Sequence, residues 1–209
     1  MQLFYEPSET DLNRDNIITK IGLYRLKKLD IIVREAVQSF IAAHGSQIVN
    51  LSPRTIASHI HDNMHECCKR LITPEDKMRL VHQNSTFKII LDDVNIVLQL
   101  KKLNKNRLTS NIPTNACLDF VRQGGSLFPC SVKLAVGYRL NLSSLSGNFL
   151  EETAVVCHNN EHANHWSIKI SDALANLTPQ ADFPTSNDSP TPKYRISARK
   201  DLLIVSKTE

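Results

Sequence analysis

The sequence predicts an α+β fold in which an N-terminal helical layer packs on a mostly antiparallel five-stranded sheet. Apolar residues recur at helical spacing through the first third of the chain, and segments of alternating apolar and polar residues follow. The chain has 209 residues, 41% of them hydrophobic, which is enough for one substantial core. We expect a single α+β domain at 1–177, with a helical part at 16–84 and a sheet part at 85–171.

Three helices are predicted in the helical layer. Apolar residues at helical spacing indicate a long helix over 16–43, and Gly22 marks a point where it can be interrupted. Ser52 and Pro53 are a favourable N-cap and first-turn pair for a second helix, which continues to about Leu71. Thr73 and Pro74 form a second N-cap and first-turn pair, which predicts a short third helix that ends near residue 82.

The segment 86–103 predicts a β-hairpin with one apolar face and one basic-polar face. A turn centred on Asp93 and Val94 would pair Phe87 with Leu100, Ile89 with Leu98, and Leu91 with Ile96. Lys88 and Lys101 then lie on the opposite side of the hairpin. The apolar side is expected to pack on the helices.

Three further strands and one short helix are predicted after the hairpin. A basic, polar loop leads into a short helix that begins near Asn115 and ends at the glycines 124–125. Alternating residues over 132–140 indicate the clearest single strand, a second strand is expected at 152–157, and 166–170 alternate in a last short strand.

The composition changes at residue 178. The segment 178–193 contains four prolines and little to bury, which predicts a disordered linker. Residues 194–209 regain apolar side chains behind a basic group, a pattern typical of a tail that docks on a partner. The candidate contact residues of this tail are Arg199, Leu203 and Val205.

Charge and cysteine content limit the functional classes. Lys and Arg number 25 against 21 Asp and Glu, and the resulting charge of +4 allows acidic partners without identifying a nucleic-acid-binding protein. The five cysteines are scattered and odd in number, which favours a reducing cytoplasm over a disulfide framework. No signal peptide or membrane span is apparent, so we expect a cytoplasmic location and no membrane partner.

One set of residues resembles the metal sites of nucleases. Asp92 or Asp93, followed by Gln99 and Lys101, supplies the residue types that bind Mg²⁺ and assist phosphoryl transfer. In the predicted hairpin the aspartates lie in the turn, on the order of 15 Å from Gln99. Turn-forming aspartates and a solvated strand face are the favoured interpretation, and a metal-dependent nuclease is an alternative.

Other sets of histidine and cysteine are weaker candidates. His61, His65 and Cys68 share an arc of one helix, and Cys157, His158, His162 and His165 precede the last strand. Neither set has the spacing of a zinc motif, and neighbouring strand residues such as Cys157 and His158 point to opposite faces. The helix after Ser52 lacks the early turn of a helix-turn-helix. We therefore predict no catalytic residue, metal site or cofactor.

The sheet face turned away from the helices is the best candidate surface. Its predicted partner-binding residues are Lys88, Lys101, Lys133, Arg139 and Lys169. No acidic residue is expected between them, so this face is suited to a phosphate backbone or an acidic protein. The aromatic residues lie on the core side, which leaves the surface without rings on which bases could stack.

The segments LQLKKLNKNRLTSNIPT, VKLAVGYRLN and HWSIKI, in this order, resemble a group of uncharacterised bacterial proteins. The resemblance covers about 52–170 and implies an association with phage-defence or toxin–antitoxin-type gene neighbourhoods, beside a helix-turn-helix regulator and a metallopeptidase-like gene. It implies no active site. We expect a non-enzymatic interaction or regulatory protein that binds a protein partner, with a nucleic-acid-binding module and a metal-dependent nuclease as alternatives.

Overall fold

The computed structural model describes residues 11–83, 86–109, 115–123, 131–142, 149–160 and 162–177. The chain divides into two units, Met1–Pro179 and Gln180–Glu209, and every described residue belongs to the first. The predicted linker and the tail residues Arg199, Leu203 and Val205 lie outside the described residues.

Five α-helices are described: α1 (Arg14–Ile21), α2 (Leu23–His44), α3 (Pro53–Leu71), α4 (Asn115–Val121) and α5 (Ile170–Leu177). Gly22 separates α1 from α2 with a φ of 82°, a left-handed conformation that glycine adopts without steric cost, so the expected break is confirmed. Ser52 caps α3 as predicted, because its Oγ accepts a hydrogen bond of 3.1 Å from the Thr55 backbone N–H.

The described strands form one mixed sheet of six, in the order β1 (Arg79–Gln83), β2 (Thr86–Leu91), β3 (Ile96–Lys102), β4 (Val132–Leu140), β5 (Leu150–His158) and β6 (Asn164–Lys169). All neighbours are antiparallel except β3 and β4, which run parallel. Two antiparallel meanders therefore meet at a central parallel pair, and α4 lies in the connection between them.

The main core lies between one face of the sheet and the helices. Ile89 pairs with Leu98 and Leu91 pairs with Ile96, so the predicted hairpin register is confirmed. These four side chains are buried in the same cluster as the apolar residues of α2 and α3. We call this side the inner face of the sheet and the opposite side the outer face.

The outer face carries two smaller apolar clusters. Phe120 of α4 packs with Ile90 and Val97, and Leu103 packs with Ala135, Ala154 and Val156. A Cβ on Gly137 would lie 2.3 Å from Leu103 Cγ, so this position of β4 has no room for a larger residue. Helix α4 and the chain that follows β3 thus cover the middle of the outer face.

Two elements differ from the prediction. The expected third helix is only a short 3₁₀ turn, Pro74–Asp76, because Lys77 adopts a left-handed φ of 52° and the chain then enters β1. This extra strand makes the sheet six-stranded, and the parallel pairing of β3 with β4 makes it mixed. At the other end, β6 stops at Lys169 and Ile170 begins α5, so the predicted continuation of the strand to residue 170 is wrong.

Candidate anion-binding face

The five basic side chains predicted to share one sheet face do share it. Strand pairing aligns Val97 with Lys133, Lys101 with Gly137, Arg139 with Glu152, and Ala154 with Lys169. Lys88 lies two residues before Ile90, which pairs with Val97. All five are therefore on the outer face.

The centre of this face is covered by α4, contrary to the prediction of an open surface. Lys88 is 7% exposed and Lys133 is 4% exposed, and Lys88 Nζ lies 5.5 Å from the centroid of the Phe120 ring of α4. The prediction of an open basic surface is therefore wrong at these two positions. The short helix was predicted, but its sequence alone did not indicate which face of the sheet it covers.

The expected absence of an acidic residue is also wrong. Glu152 pairs with Arg139 across β4 and β5, and its side chain is only 4% exposed. The outer face therefore contains two distinct groups. We call Lys88, Lys101 and Lys133 the lysine cluster, and Arg107, Arg139, Glu152 and Lys169 the Glu152 network.

Glu152 is bound most closely by Arg107. The Arg107 Nε and Nη2 groups donate hydrogen bonds of 3.1 and 3.0 Å to the two carboxylate oxygens, while Nη1 donates a 3.1 Å bond to Ser167 Oγ. Arg139 Nε and Lys169 Nζ lie 3.6 and 3.9 Å from the same carboxylate. The hydrogen bonds from Arg107, which outweigh the effect of burial, lower the pKa of Glu152.

The Glu152 network holds the loop that follows β3 against the sheet. Asn104 Oδ1 accepts hydrogen bonds from the backbone N–H groups of Asn106 and Leu108, at 2.8 and 3.0 Å, which shapes the loop. Arg107 adopts a left-handed φ of 57° and reaches Glu152 from this loop. Arg139 Nη1 also donates a 3.3 Å bond to the carbonyl oxygen of Lys105. The exposed Lys105 is thereby placed beside the sheet.

His158 supports the same loop from β5. Its Nδ1 lies 2.6 Å from Asn164 Oδ1 and its Nε2 lies 3.4 Å from Thr109 Oγ1, and burial lowers its pKa. The neighbouring Cys157 belongs to the core on the inner face, where burial raises the pKa of its thiol to about 12. The expectation that these two side chains point apart is confirmed, and they form no nucleophile–base pair.

The lysine cluster surrounds Gln99. Extending the β2–β3 register by one residue places Lys88 opposite Gln99, and Lys101 follows two residues later on the same strand. Gln99 pairs with Ala135 of β4, and Lys133 lies two residues before that position. Burial lowers the pKa of each lysine, and repulsion from Lys101 lowers the pKa of Lys88 further.

The two aspartates of the nuclease-like arrangement form ion pairs with arginines and do not approach Gln99. Asp92 accepts a hydrogen bond of 2.8 Å from Arg79 Nη2, and Asp93 accepts one of 2.7 Å from Arg25 Nη2. The β2 residue opposite Gln99 is Lys88, a cation where a metal site would need a carboxylate. The structure therefore does not bring the four candidate residues together.

The histidines of α3 form a ring contact rather than a metal centre. His65 Nε2 lies 2.6 Å from His82 Nε2 of β1, and the His61 ring lies 4.8 Å from that of Phe87. Within the described ranges, no group of three or more His, Cys, Asp or Glu side chains could hold a metal ion. Cys68 of the same predicted set is buried in the core, and α3 runs unbroken past it.

Comparisons with protein-family models, with curated proteins and with solved structures find no match. Among the described residues, no helix has both the length and the apolar character that crossing a membrane requires.

Proposed function

We propose that this chain is a non-catalytic module that binds the phosphate backbone of nucleic acid at the Glu152 network and its loop. The observation that carries the proposal is the bidentate pairing of Arg107 with the buried Glu152. This pairing fixes a loop cation, Lys105, beside the strand cations Arg139 and Lys169. A fixed array of cations is what contact with successive phosphates requires.

The charge balance of this surface favours an anionic ligand. Its four cations, Lys105, Arg107, Arg139 and Lys169, face three described carboxylates, Glu151, Glu152 and Asp172. Glu152 is buried, whereas the side chain of Lys169 is 47% exposed and Lys105 is an exposed residue. The excess positive charge therefore faces solvent, where it can attract phosphate groups.

The neighbouring outer-face side chains favour contact with the backbone over base recognition. Positions beside the network carry small residues, Ala154 and Ser167, which offer no ring on which a base could stack. Arg139 Nε is buried and lies 3.6 Å from Glu152 Oε1, so this N–H faces the Glu152 carboxylate and not the solvent. We expect binding that is largely independent of base sequence.

The alternatives have less support in the described residues. The protein-adaptor hypothesis depends on Arg199, Leu203 and Val205, which lie outside them, and it stays a prediction. The nuclease hypothesis needs carboxylates near Gln99, and Asp92 and Asp93 are engaged by arginines instead. A role in a bacterial defence-type system, which the sequence resemblance implies, is compatible with a nucleic-acid ligand and belongs to the same proposal.

The salt dependence of binding tests the proposal. Fluorescence anisotropy with a labelled DNA duplex and a labelled single strand would compare the wild-type chain with the double variant Lys105→Ala/Lys169→Ala. The matched control is Lys20→Ala/Lys27→Ala, which removes two exposed lysines from α1 and α2. Removing two phosphate contacts should reduce the slope of log K against log salt by about 2 and weaken binding at least about tenfold at low salt.

Two results would contradict the proposal. One is the absence of binding by the wild-type chain at about 50 mM salt, where contacts to phosphate are strongest. The other is an equal loss of affinity in the test and control variants, which would indicate a dependence on net charge alone. A steep salt dependence that the Lys105/Lys169 variant loses and the control keeps would support it.

A further inference from the structure

Two histidines join the edge of the sheet to the helical layer. Strand β1 comes first in the sheet order, and β2 is its neighbour among the described strands. His82 lies near the end of β1, and its Nε2 lies 2.6 Å from Nε2 of His65 on α3. The two rings meet edge to face, with centroids 4.3 Å apart and an interplanar angle of 78°. The pair therefore forms a direct hydrogen bond between α3 and the edge strand.

This hydrogen bond depends on the number of protons that the two rings carry. A neutral imidazole has one N–H and one nitrogen lone pair, so in a neutral pair one Nε2 donates and the other accepts. One added proton keeps the bond, because one Nε2 still accepts. When both rings are protonated, both Nε2 atoms carry a hydrogen, and two positively charged donors face each other across 2.6 Å. The contact between His65 and His82 is then lost.

The surroundings of His65 disfavour the fully protonated pair. Burial is the largest cause that lowers the pKa of His65, and the Lys69 ammonium adds to it. The neighbouring rings of His82 and His61 act in the same direction. Glu66 opposes them, and its Oε1 lies 3.6 Å from His65 Nδ1. Because the balance lowers the pKa of His65, the closed pair takes up its second proton at a lower pH than two separated histidines do.

An apolar ring of the core lies beneath these histidines. Phe87 of β2 is 3% exposed, and it is the uncharged group that β2 places against the His65 ring, at 5.0 Å between centroids. The His61 ring lies 4.8 Å from Phe87 on the same side, and Lys101 of β3 acts electrostatically on His61. Phe87 also pairs with His82 across β1 and β2. Histidine rings thus cover Phe87 at the edge of the core.

We propose that the contact between His65 and His82 is a pH-sensitive latch that holds the edge strand β1 against α3 and opens when both rings are protonated. The latch is closed at neutral pH and opens as pH falls below the ordinary histidine value of about 6.5. Opening takes up one proton, loosens β1 at its His82 end and uncovers Phe87. The latch does not depend on the proposed nucleic-acid surface, whose residues lie on β4, β5, β6 and the loop after β3.

Hydrogen exchange of the β1 backbone amides, followed by NMR on the full chain, measures this opening. Because opening takes up one proton, protection of these amides should fall by up to about tenfold per pH unit below about 6.5, after correction for the intrinsic exchange rate. The fall should stop at the lower pKa of the closed pair. Amides of β5 report global unfolding, and at acid pH they should stay better protected than those of β1.

Substitutions by glutamine connect this effect to the pair. Glutamine can hydrogen-bond to the remaining histidine but takes up no proton in this range, so His82→Gln should remove the pH dependence of β1 protection. His65→Gln is the reciprocal change and should act in the same way, so the result does not depend on the folding of one variant. The matched control is His162→Gln, which removes an exposed histidine outside the pair and should leave the pH dependence unchanged.

The ring nitrogens give an independent readout by side-chain ¹⁵N NMR. In the wild-type chain His65 and His82 should titrate in two coupled steps, whereas His65 in the His82→Gln variant should titrate in one. The proposal is overturned if both histidines titrate independently near 6.5, or if wild-type β1 protection is the same at about pH 7 and about pH 5.5. It is also overturned if His82→Gln and His65→Gln keep the wild-type pH dependence, or if His162→Gln loses it to the same extent.

Discussion

Replacement of Glu152 by glutamine is the most direct test of how the loop is held to the sheet. The substitution keeps the size of the side chain but removes the charge that Arg107, Arg139 and Lys169 surround at 3.0 to 3.9 Å. Loss of one member of a buried ion pair costs roughly 3–5 kcal/mol. Because Arg107 and Arg139 are about a quarter exposed, solvent screening places the expected loss at the lower end, about 3 kcal/mol.

The neighbouring Glu151 provides a matched control. Its side chain is 42% exposed and pairs with Arg139 at 2.7 Å, so Glu151→Gln should cost less than about 1 kcal/mol. Urea unfolding followed by circular dichroism measures both variants. A double-mutant cycle with Arg107→Met should give a coupling energy of about 2 kcal/mol between Glu152 and Arg107, because the two side chains share two hydrogen bonds.

The pH dependence gives a second measurement of the same interaction. The pKa of Glu152 is lowered in the folded chain, so its contribution to stability is present above its ordinary value of 4.5 and is lost as pH falls through the folded pKa. The difference in stability between the wild-type chain and Glu152→Gln should therefore shrink below pH 4.5. Equal costs for Glu151→Gln and Glu152→Gln, or a difference that persists unchanged in acid, would refute the reasoning.

Three further predictions concern packing and protonation. Leu98→Ala removes a fully buried inner-face side chain and should cost roughly 2–5 kcal/mol by urea unfolding, whereas Gln99→Ala on the outer face should cost under about 1; equal costs would contradict the register. Gly137→Ala places a methyl group 2.3 Å from Leu103 Cγ and should lower the stability by roughly 1–3 kcal/mol, and Leu103→Ala in the same chain should recover part of that loss; a neutral Gly137→Ala would contradict the close approach. Burial lowers the pKa of three histidines: His61, His65 and His158. The unfolded chain therefore binds protons more readily, and the free energy of unfolding should decrease as pH falls from about 7 through 6.5 toward the folded pKa values; a flat profile over pH 5.5–7.5, measured by urea unfolding, would contradict this.

The elements defined by local patterns were predicted well. The hairpin register followed from apolar residues at every second position of both strands, and the break at Gly22 followed from the conformational freedom of glycine. The start of α3 followed from the Ser52–Pro53 pair. In each case a few adjacent residues determine the backbone, so a single sequence contains the necessary information.

The errors concern features that depend on distant residues. β1 is short, and it exists because Arg79–Gln83 pairs with β2, a partner that the turn chemistry before it does not indicate. The covering of Lys88 and Lys133 depends on where the connection between β3 and β4 returns across the sheet. The role of Arg107 depends on Glu152, which lies on β5 far along the chain. Such pairings come from tertiary structure rather than from local periodicity.

For the candidate site, the sequence predicted which cations share one face of the sheet. It did not predict that this face divides into the lysine cluster and the Glu152 network. Alternation placed five cations on one side of the sheet, and strand pairing confirms that placement. The same parity argument applied to β5 would have found Glu152, because its strand was predicted to begin at that residue. Its partner Arg107 lies in a loop, where no periodicity assigns a direction to the side chain.

The parallel pairing of β3 with β4 has a consequence for how the chain folds. Strands β1 to β3 and strands β4 to β6 each form a meander from neighbours in sequence, whereas the seam between the meanders requires closure of the 103–131 connection. Closing such a loop carries an entropic cost that contacts within a meander do not, so docking of the two halves is expected to limit the folding rate. Truncating Leu134 or Val136 at the seam should slow refolding, while truncating the outer strands should mainly accelerate unfolding.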